Sequence, residues 1–289
     1  MWAPAFAGVA AYITCHSREG GNPLQHRSIS LRPARINSVG WPLHIQKIDI
    51  IDQGRAIMTK TFTDIIPADS LFGKLRAKAP DAWQSYVCHD FIKQLGNGTL
   101  PEASFKHYLI QDYLFLIQFA RAYALAVYKA EDLMAMRQFS ATVHAILDME
   151  MSLHLEFCQN WGLSEADIIS EPEARACVTY TRYVLDRGMQ GDVVDLQVAL
   201  MPCMVGYAEI ANRLMASSDT VLEGNPYRAW IEMYASQEFQ DVAKAEIDLL
   251  EHTAAKRGGD ARIEGLTQTF ATASRLEADF WQMGLDLAK

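Results

Sequence analysis

A helical pattern of apolar residues runs almost without interruption from residue 69 to the C-terminus. No run alternates with a period of two for long enough to predict a β-strand. Several predicted helices are too long and too apolar to lie on a protein surface, so we expect one all-α bundle with a central core. The predicted helices span about 82–95, 102–129, 131–161, 172–188, 191–216, 225–234, 237–257 and 261–287.

Local signals predict where the first of these helices begin and end. Asp81 is suited to cap the first helix, and Gln84 three residues later would complete a capping box. The Gly-Asn-Gly run at 96–98 is a typical C-terminal stop. Pro101 follows at the first-turn position of the next helix, where proline is tolerated.

Residues 1–57 differ in character from the rest of the chain. They carry scattered Pro, Arg and Ser residues and little periodicity. The first 15 residues are apolar but lack the basic start and the small-residue cleavage site of a signal peptide. We expect Met58 to be the natural start, with residues 1–57 a disordered leader or a mis-annotated extension; a processed targeting peptide is the alternative. Residues 58–289 are then a single all-α domain.

Charge and cysteine content restrict the possible partners and compartment. The formal net charge of -9 argues against a nucleic-acid partner and against an anionic membrane surface. No run reaches the ~20 continuous apolar residues that a membrane-spanning helix needs. The five cysteines are scattered without a CxxC pair, which fits neither a disulfide framework nor a zinc site. We therefore expect reduced thiols and a cytoplasmic protein.

The second long helix carries a carboxylate in an apolar setting. Asp112 is flanked by apolar residues, and a carboxylate is rarely buried without partners. Phe115 and Phe119 share its helix face, three and seven residues on. One interpretation is a slot for a flat ligand with a polar edge. The other is an aspartate hydrogen-bonded to a neighbouring helix.

The last helix repeats this combination of an acid with aromatic rings. Glu277 lies one turn from Phe280 and Trp281, so its pKa could be raised and the group could act as an acid. Solvent exposure or a pair with Arg275 is the alternative. Tyrosines elsewhere fit either the core or a pocket wall, namely Tyr180, Tyr183, Tyr207 and Tyr234.

A proline and a cysteine interrupt the apolar helix at 191–216. Pro202 removes one backbone N–H and clashes with the carbonyl near Val198, which predicts a kink. Cys203 follows it, one turn before Tyr207. The thiol is a candidate nucleophile, although a free cysteine also commonly serves as a small packing residue.

Glu150 and His154 are spaced four residues apart, as in half of a metal site. Di-iron bundles use two Glu-x-x-His motifs and two further glutamates, and no such set occurs here. The remaining histidines show no convergent spacing either. We interpret Glu150 and His154 as a structural hydrogen bond and predict no metal site.

Together these motifs resemble the thiaminase II (TenA) family, which has a haem-oxygenase-like all-α fold. The resemblance covers about residues 70–287 and belongs to the branch that carries the cysteine. It implies an aminopyrimidine hydrolase of thiamin salvage that releases hydroxymethylpyrimidine from thiamin or aminomethyl-aminopyrimidine, and it implies a homotetramer. The matching strings lie at 91–101, 105–112, 150–154, 200–203 and 277–281.

The resemblance also assigns roles to individual residues. Cys203 matches the nucleophile, Glu277 the acid/base partner on the ring, and Asp112 the group that binds the aminopyrimidine edge. Phe115 stands where the family often has tyrosine, so the ring face is kept and a hydroxyl is lost. The implied pocket residues are Phe115, Tyr180, Tyr207, Tyr234 and Phe280.

The implied reaction is covalent catalysis on an electron-poor ring. A thiolate adds to the ring carbon beside the one that carries the methylene, while Glu277 protonates a ring nitrogen. No metal or organic cofactor is needed. A free thiol has a pKa of about 8.5, so Cys203 requires activation. A haem or di-iron oxidase on the same fold and a non-catalytic pyrimidine-binding regulator are the alternatives.

Overall fold

The computed structural model describes residues 66–289; the predicted leader at 1–57 and the start at Met58 lie outside that range. Within it every regular element is helical, which confirms the all-α prediction. A π-helical turn, Ala145–Glu150, joins the helices Leu133–His144 and Met151–Gln159. A short turn of 3-10 helix, Asp260–Arg262, precedes the last helix, Ile263–Asp286.

In chain order the helices are α1 (Leu71–Lys78), α2 (Pro80–Val87), α3 (Asp90–Gly96), α4 (Glu102–Lys129), α5 (Leu133–His144), α6 (Met151–Gln159), α7 (Glu165–Ser170), α8 (Arg175–Gln190), α9 (Val193–Ala216), α10 (Arg228–Ala235), α11 (Gln237–Arg257) and α12 (Ile263–Asp286).

The predicted N-cap at Asp81 is wrong. Helix α2 begins at Pro80, two residues before the predicted start at 82, with Ala79 at the cap position and no capping side chain. Proline fits the first helical position because its missing N–H would have no partner there. Asp81 instead lies in the first turn, where its charge still favours the helix dipole.

The helix predicted at 82–95 is two helices. Helix α2 ends at Val87, and α3 begins at Asp90. Between them His89 takes the N-cap position, and its Nδ1 accepts a hydrogen bond of 3.2 Å from the backbone N–H of Phe91. Histidine is not among the common capping residues, so the pattern gave no sign of this break.

Later boundaries follow the prediction more closely. Helix α4 spans the predicted residues, with Pro101 just outside it at the cap position. The helix predicted at 131–161 is divided into α5, the π turn and α6. Helix α7 was not predicted; it starts at a capping box formed by Ser164 and Asp167.

Helix α9 runs through the centre of the bundle and packs against α8, α10, α11 and α12. It continues through Pro202 as one helix. By length and composition this helix could cross a membrane. Its most apolar window is 94% buried inside the fold, as expected for the core helix of a bundle.

Gly206 allows α2 to approach α9 closely beside the cysteine. A Cβ at this position would lie 2.2 Å from Cε1 of Tyr86, which is fully buried and whose hydroxyl donates to the Pro202 carbonyl at 3.2 Å. The ring cannot move without losing this packing. A glycine is therefore required here by the contact between helices.

We expect Gly206→Ala to destabilise the protein by about 1–3 kcal/mol, because overpacking outweighs the helix propensity gained. Urea denaturation monitored by circular dichroism measures this. Gly265→Ala in α12 is the matched control, since nothing lies within 4 Å of a Cβ there; it should be neutral or slightly stabilising. Equal stability of the two variants would contradict the packing argument.

Candidate active site

Helices α4, α5, α9, α10 and α11 and the π turn enclose a small cavity of about 30 Å³. Its wall is mostly apolar, as is typical of small-molecule sites. Polar groups converge on it from five different elements. They are Asp112, Thr142, Glu150, Cys203, Tyr207 and Tyr234.

Cys203 opens into this cavity from the central helix. It is partly exposed while its neighbours Pro202 and Met204 are buried. Its thiol lies close enough to the Glu277 carboxyl on α12 for the two groups to shift each other's pKa. The cysteine is thus both accessible to a ligand and next to an acid.

Glu277 is buried beside the cysteine, with 2% of its surface exposed. Its Oε1 accepts a hydrogen bond of 2.9 Å from the Tyr180 hydroxyl. Burial, with a further contribution from the charge of Asp112, raises the pKa of Glu277 to about 8. The alternative pair with Arg275 is not formed, because that residue is exposed and donates to Thr272.

The cysteine is held as a neutral thiol. Burial raises the pKa of Cys203 well above its ordinary value, and the negative charges of Glu277 and Asp112 raise it further. With Glu277 also protonated at neutral pH, the resting pair is a thiol beside a carboxylic acid. A thiolate can form only when a proton acceptor is created or a positive charge arrives.

Asp112 is buried and bound by two donors from neighbouring side chains. Its Oδ2 accepts from the Tyr108 hydroxyl at 3.1 Å and lies 2.7 Å from His154 Nε2. His154 Nδ1 lies 2.9 Å from the backbone carbonyl of Glu150. Since both ring nitrogens face acceptors, both must carry protons. Asp112 and His154 therefore form a buried carboxylate–imidazolium pair.

The predicted link between Glu150 and His154 exists, but it runs through the main-chain carbonyl of Glu150 rather than its carboxylate. With both of its nitrogens engaged, the His154 ring offers no lone pair to a metal. Within residues 66–289 no group of three or more His, Cys, Asp or Glu side chains is arranged to hold a metal ion.

Asp112 determines the direction in which the pKa of His154 is shifted. Burial alone would lower the pKa of His154, but the hydrogen bond and the charge of Asp112 outweigh burial and raise it. A group whose pKa is raised by folding contributes stability below its unfolded pKa, and that contribution is lost as the pH rises through the folded value.

We therefore expect His154→Gln to lower the free energy of unfolding most below about pH 6.5, by about 3 kcal/mol, because Asp112 loses its buried counter-charge. The difference in the free energy of unfolding between the variant and wild type should become smaller as the pH rises. Urea denaturation across the pH range measures it. His144→Gln removes an exposed histidine beside Asp148 and is the control. A difference for His154→Gln that does not vary with pH would contradict the imidazolium assignment.

The predicted aromatic residues form two groups around the acid and the thiol. Tyr207 and Tyr234 line the cavity, with ring centroids 4.9 Å apart. Phe115 lies behind them, 5.2 Å from the Tyr180 ring and 5.7 Å from the Phe280 ring. These three do not line the cavity in this structure; Tyr180 among them donates to Glu277. Tyr183 lies apart and donates to the Thr269 carbonyl.

Some members of the site were not predicted from the sequence. The Tyr108 hydroxyl contacts Asp112, lies 3.4 Å from the Tyr207 hydroxyl and accepts from Trp230 Nε1 at 3.3 Å. The spacing of four residues between Tyr108 and Asp112 was the available signal. The sequence predicts only a structural hydrogen bond for Glu150, whereas in the structure this residue also lines the cavity.

Comparisons with known proteins agree with this architecture. The family model described as "TENA/THI-4/PQQC family" matches residues 76–287. An aminopyrimidine aminohydrolase of Halalkalibacterium halodurans is 35% identical over 218 residues, which cover 74% of this chain and 95% of that protein.

Two solved structures extend the comparison. A protein of Silicibacter sp. TM1040 described as a TenA family transcription regulator has a TM-score of 0.71 and 42% identity, over 76% of this chain and 98% of its own. A domain of unknown function with a heme oxygenase-like fold, from Shewanella denitrificans, has a TM-score of 0.56 and 18% identity, over 73% and 92% of the chains. The predicted haem-oxygenase-like fold is confirmed, and the chain belongs to the TENA/THI-4/PQQC family.

Proposed function

We propose that this protein is an aminopyrimidine aminohydrolase that forms hydroxymethylpyrimidine, with Cys203 as nucleophile and Glu277 as acid/base. The observation that carries the proposal is the buried Glu277 carboxyl beside Cys203, at a cavity that both Cys203 and Asp112 line. The 35% identical relative named as an aminopyrimidine aminohydrolase supports the same reaction class.

Asp112 is suited to bind the amino edge of the ring. In the described part of the chain, both of its side-chain hydrogen bonds fall on Oδ2, which leaves Oδ1 for the exocyclic amino group. The contact with His154 fixes the orientation of the carboxylate. A charged acceptor in a buried site binds an N–H donor more strongly than a neutral one does.

The geometry supports transfer of one proton from sulfur to the ring through Glu277. The protonated Glu277 donates its proton to a ring nitrogen, which makes the ring a better electrophile and leaves a carboxylate. That carboxylate accepts the proton of the Cys203 thiol as sulfur bonds to the ring carbon beside the methylene-bearing carbon. Glu277 ends protonated, so the raised pKa values of both groups are compatible with attack at neutral pH.

The remaining steps exchange the leaving group for water. Electrons from the ring nitrogen expel the amine or thiazole, which takes the electron pair of its bond to the methylene carbon. Water adds to that carbon and gives one proton to the departed amine or to solvent. The carbon–sulfur bond then breaks and sulfur departs with its electron pair. Glu277 passes one proton to sulfur and accepts the proton of the ring nitrogen, which restores the neutral thiol and the protonated acid. One hard substitution is thereby divided into easier steps.

Turnover of purified full-length protein tests the proposal. We expect hydroxymethylpyrimidine, followed by chromatography, from aminomethyl-aminopyrimidine, from thiamin, or from both. Folded protein that binds either compound without forming product would favour a regulator. Folded protein that carries iron or haem and forms no hydroxymethylpyrimidine would favour an oxidase on the same fold.

We also propose that the protein is a cytoplasmic homotetramer that binds neither nucleic acid nor membrane. Four cysteines in the described residues are free thiols, which suits a reducing compartment. Exposed apolar side chains on α4 and α5, Tyr128 and Leu133 among them, are suited to subunit contacts. Light scattering after size exclusion measures the mass; a monomer would contradict the tetramer.

A further inference from the structure

Besides Asp112, a second acidic residue lines the cavity and has no role in the reaction above. Glu150 is the last residue of the π turn Ala145–Glu150, which also supplies Ala145 and Ile146 to the wall. A π turn inserts an extra residue per turn and redirects the following side chains, and such turns are frequent at functional sites. Here the turn places a carboxylate where a regular helix would present another face.

Glu150 is the more exposed of the two acidic residues that line the cavity. It is partly exposed, whereas Asp112 is 5% exposed. Cys203 and Asp112 would hold the pyrimidine ring, with Glu277 next to the sulfur. The group that leaves the methylene carbon then extends toward Glu150.

The Glu150 carboxylate lacks a cationic partner of its own. Its hydrogen bond comes from the neutral Tyr234 hydroxyl at 3.4 Å, at the long limit for such a bond. Among the ion pairs of residues 66–289, none uses Glu150. Burial raises the pKa of Glu150 to about 7, with the charge of Asp112 adding to burial and that of His154 opposing it. A cation bound at this position would offset the effects of burial and of the Asp112 charge, both of which disfavour the ionised form of Glu150.

We propose that Glu150 binds the leaving group of the substrate and selects a primary ammonium over a thiazolium. This inference rests on the proposed function. A primary ammonium is a compact charge with N–H donors and loses strong hydration on entering the cavity, so it needs an ionised acceptor. A thiazolium carries its charge on a ring without N–H donors and gains only the weaker charge attraction.

The test compares two substrates in Glu150→Gln and wild-type full-length protein. We expect kcat/KM for aminomethyl-aminopyrimidine to fall by about 10- to 100-fold, the loss expected for one charge-assisted hydrogen bond, and kcat/KM for thiamin to fall by less than about 3-fold. Glu150→Asp, which keeps the charge, should recover part of the preference. Glu156→Gln removes an exposed charge on the next helix and should leave both values unchanged.

Several outcomes separate the two proposals. Wild-type protein that hydrolyses neither substrate overturns the proposed function. Active wild type with an unchanged ratio of the two kcat/KM values in Glu150→Gln overturns only the role of Glu150. Binding of the neutral product hydroxymethylpyrimidine, by calorimetry, shows whether the variant keeps an intact site; unchanged product affinity with a lowered ratio supports the proposal.

Discussion

Replacing Cys203 with alanine is expected to reduce turnover by at least about 1,000-fold, because the covalent step has no substitute nucleophile in the cavity. The side chain is small and partly exposed to the cavity, so its loss leaves the core of α9 intact. We expect hydroxymethylpyrimidine to bind the variant with about the wild-type affinity. Product formation and calorimetry measure the two properties separately.

Another cysteine provides the control for this prediction. Cys158 is fully buried in α6 and does not line the cavity. Cys158→Ala should keep activity near that of wild type despite a modest loss of stability. If Cys203→Ala retained activity comparable to Cys158→Ala, Cys203 would be a packing residue and the covalent mechanism would be wrong.

Replacing Glu277 with glutamine is expected to reduce kcat by about 100- to 10,000-fold, the range for loss of a positioned acid/base. The amide oxygen can still accept from the Tyr180 hydroxyl, so the packing is kept. The amide cannot pass a proton from sulfur to the ring. Steady-state kinetics should therefore show a loss in kcat with little change in product affinity.

A matched buried acid tests whether this loss is specific to Glu277. Glu246 on α11 is 3% exposed, and burial raises its pKa to about 7, but it bonds Thr142 rather than the cysteine. Glu246→Gln should remain active. Equal losses in Glu246→Gln and Glu277→Gln would indicate a general effect of buried charge instead of proton transfer.

The pH dependence of wild-type activity follows from the pKa of Glu277. Because the protonated form of Glu277 starts the reaction and its pKa lies at about 8, kcat/KM should fall as the pH rises through that value. Activity that rises steadily to about pH 9 would indicate that an ionised group starts the reaction instead.

The sequence predicted the long elements of the fold well and its local breaks poorly. Helix α4 was predicted at its observed bounds, because 28 residues of strong periodicity leave little ambiguity. The break at His89 depends on a histidine acting as a cap. The residues Ala145–Glu150 have the sequence pattern of an ordinary helix, so the π turn was not predicted. Both features are differences in local hydrogen bonding, which the periodicity of apolar residues does not reveal.

The candidate site was predicted unevenly for a similar reason. Cys203, Glu277 and Asp112 were identified because each is unusual in an apolar helix, and the structure brings them together. One of the two partners of Asp112, His154, lies 42 residues away in the chain. The cavity-facing role of Glu150 depends on the π turn. Neither relation can be read from spacing along one helix.

The central claim is that this cavity hydrolyses the bond between the methylene carbon and its amine. The most direct test is turnover of aminomethyl-aminopyrimidine by wild-type protein in water labelled with heavy oxygen, followed by mass spectrometry of the product. The account predicts hydroxymethylpyrimidine with the labelled oxygen in its hydroxymethyl group, and none from Cys203→Ala. Folded, active-site-intact protein that yields no labelled product would contradict it.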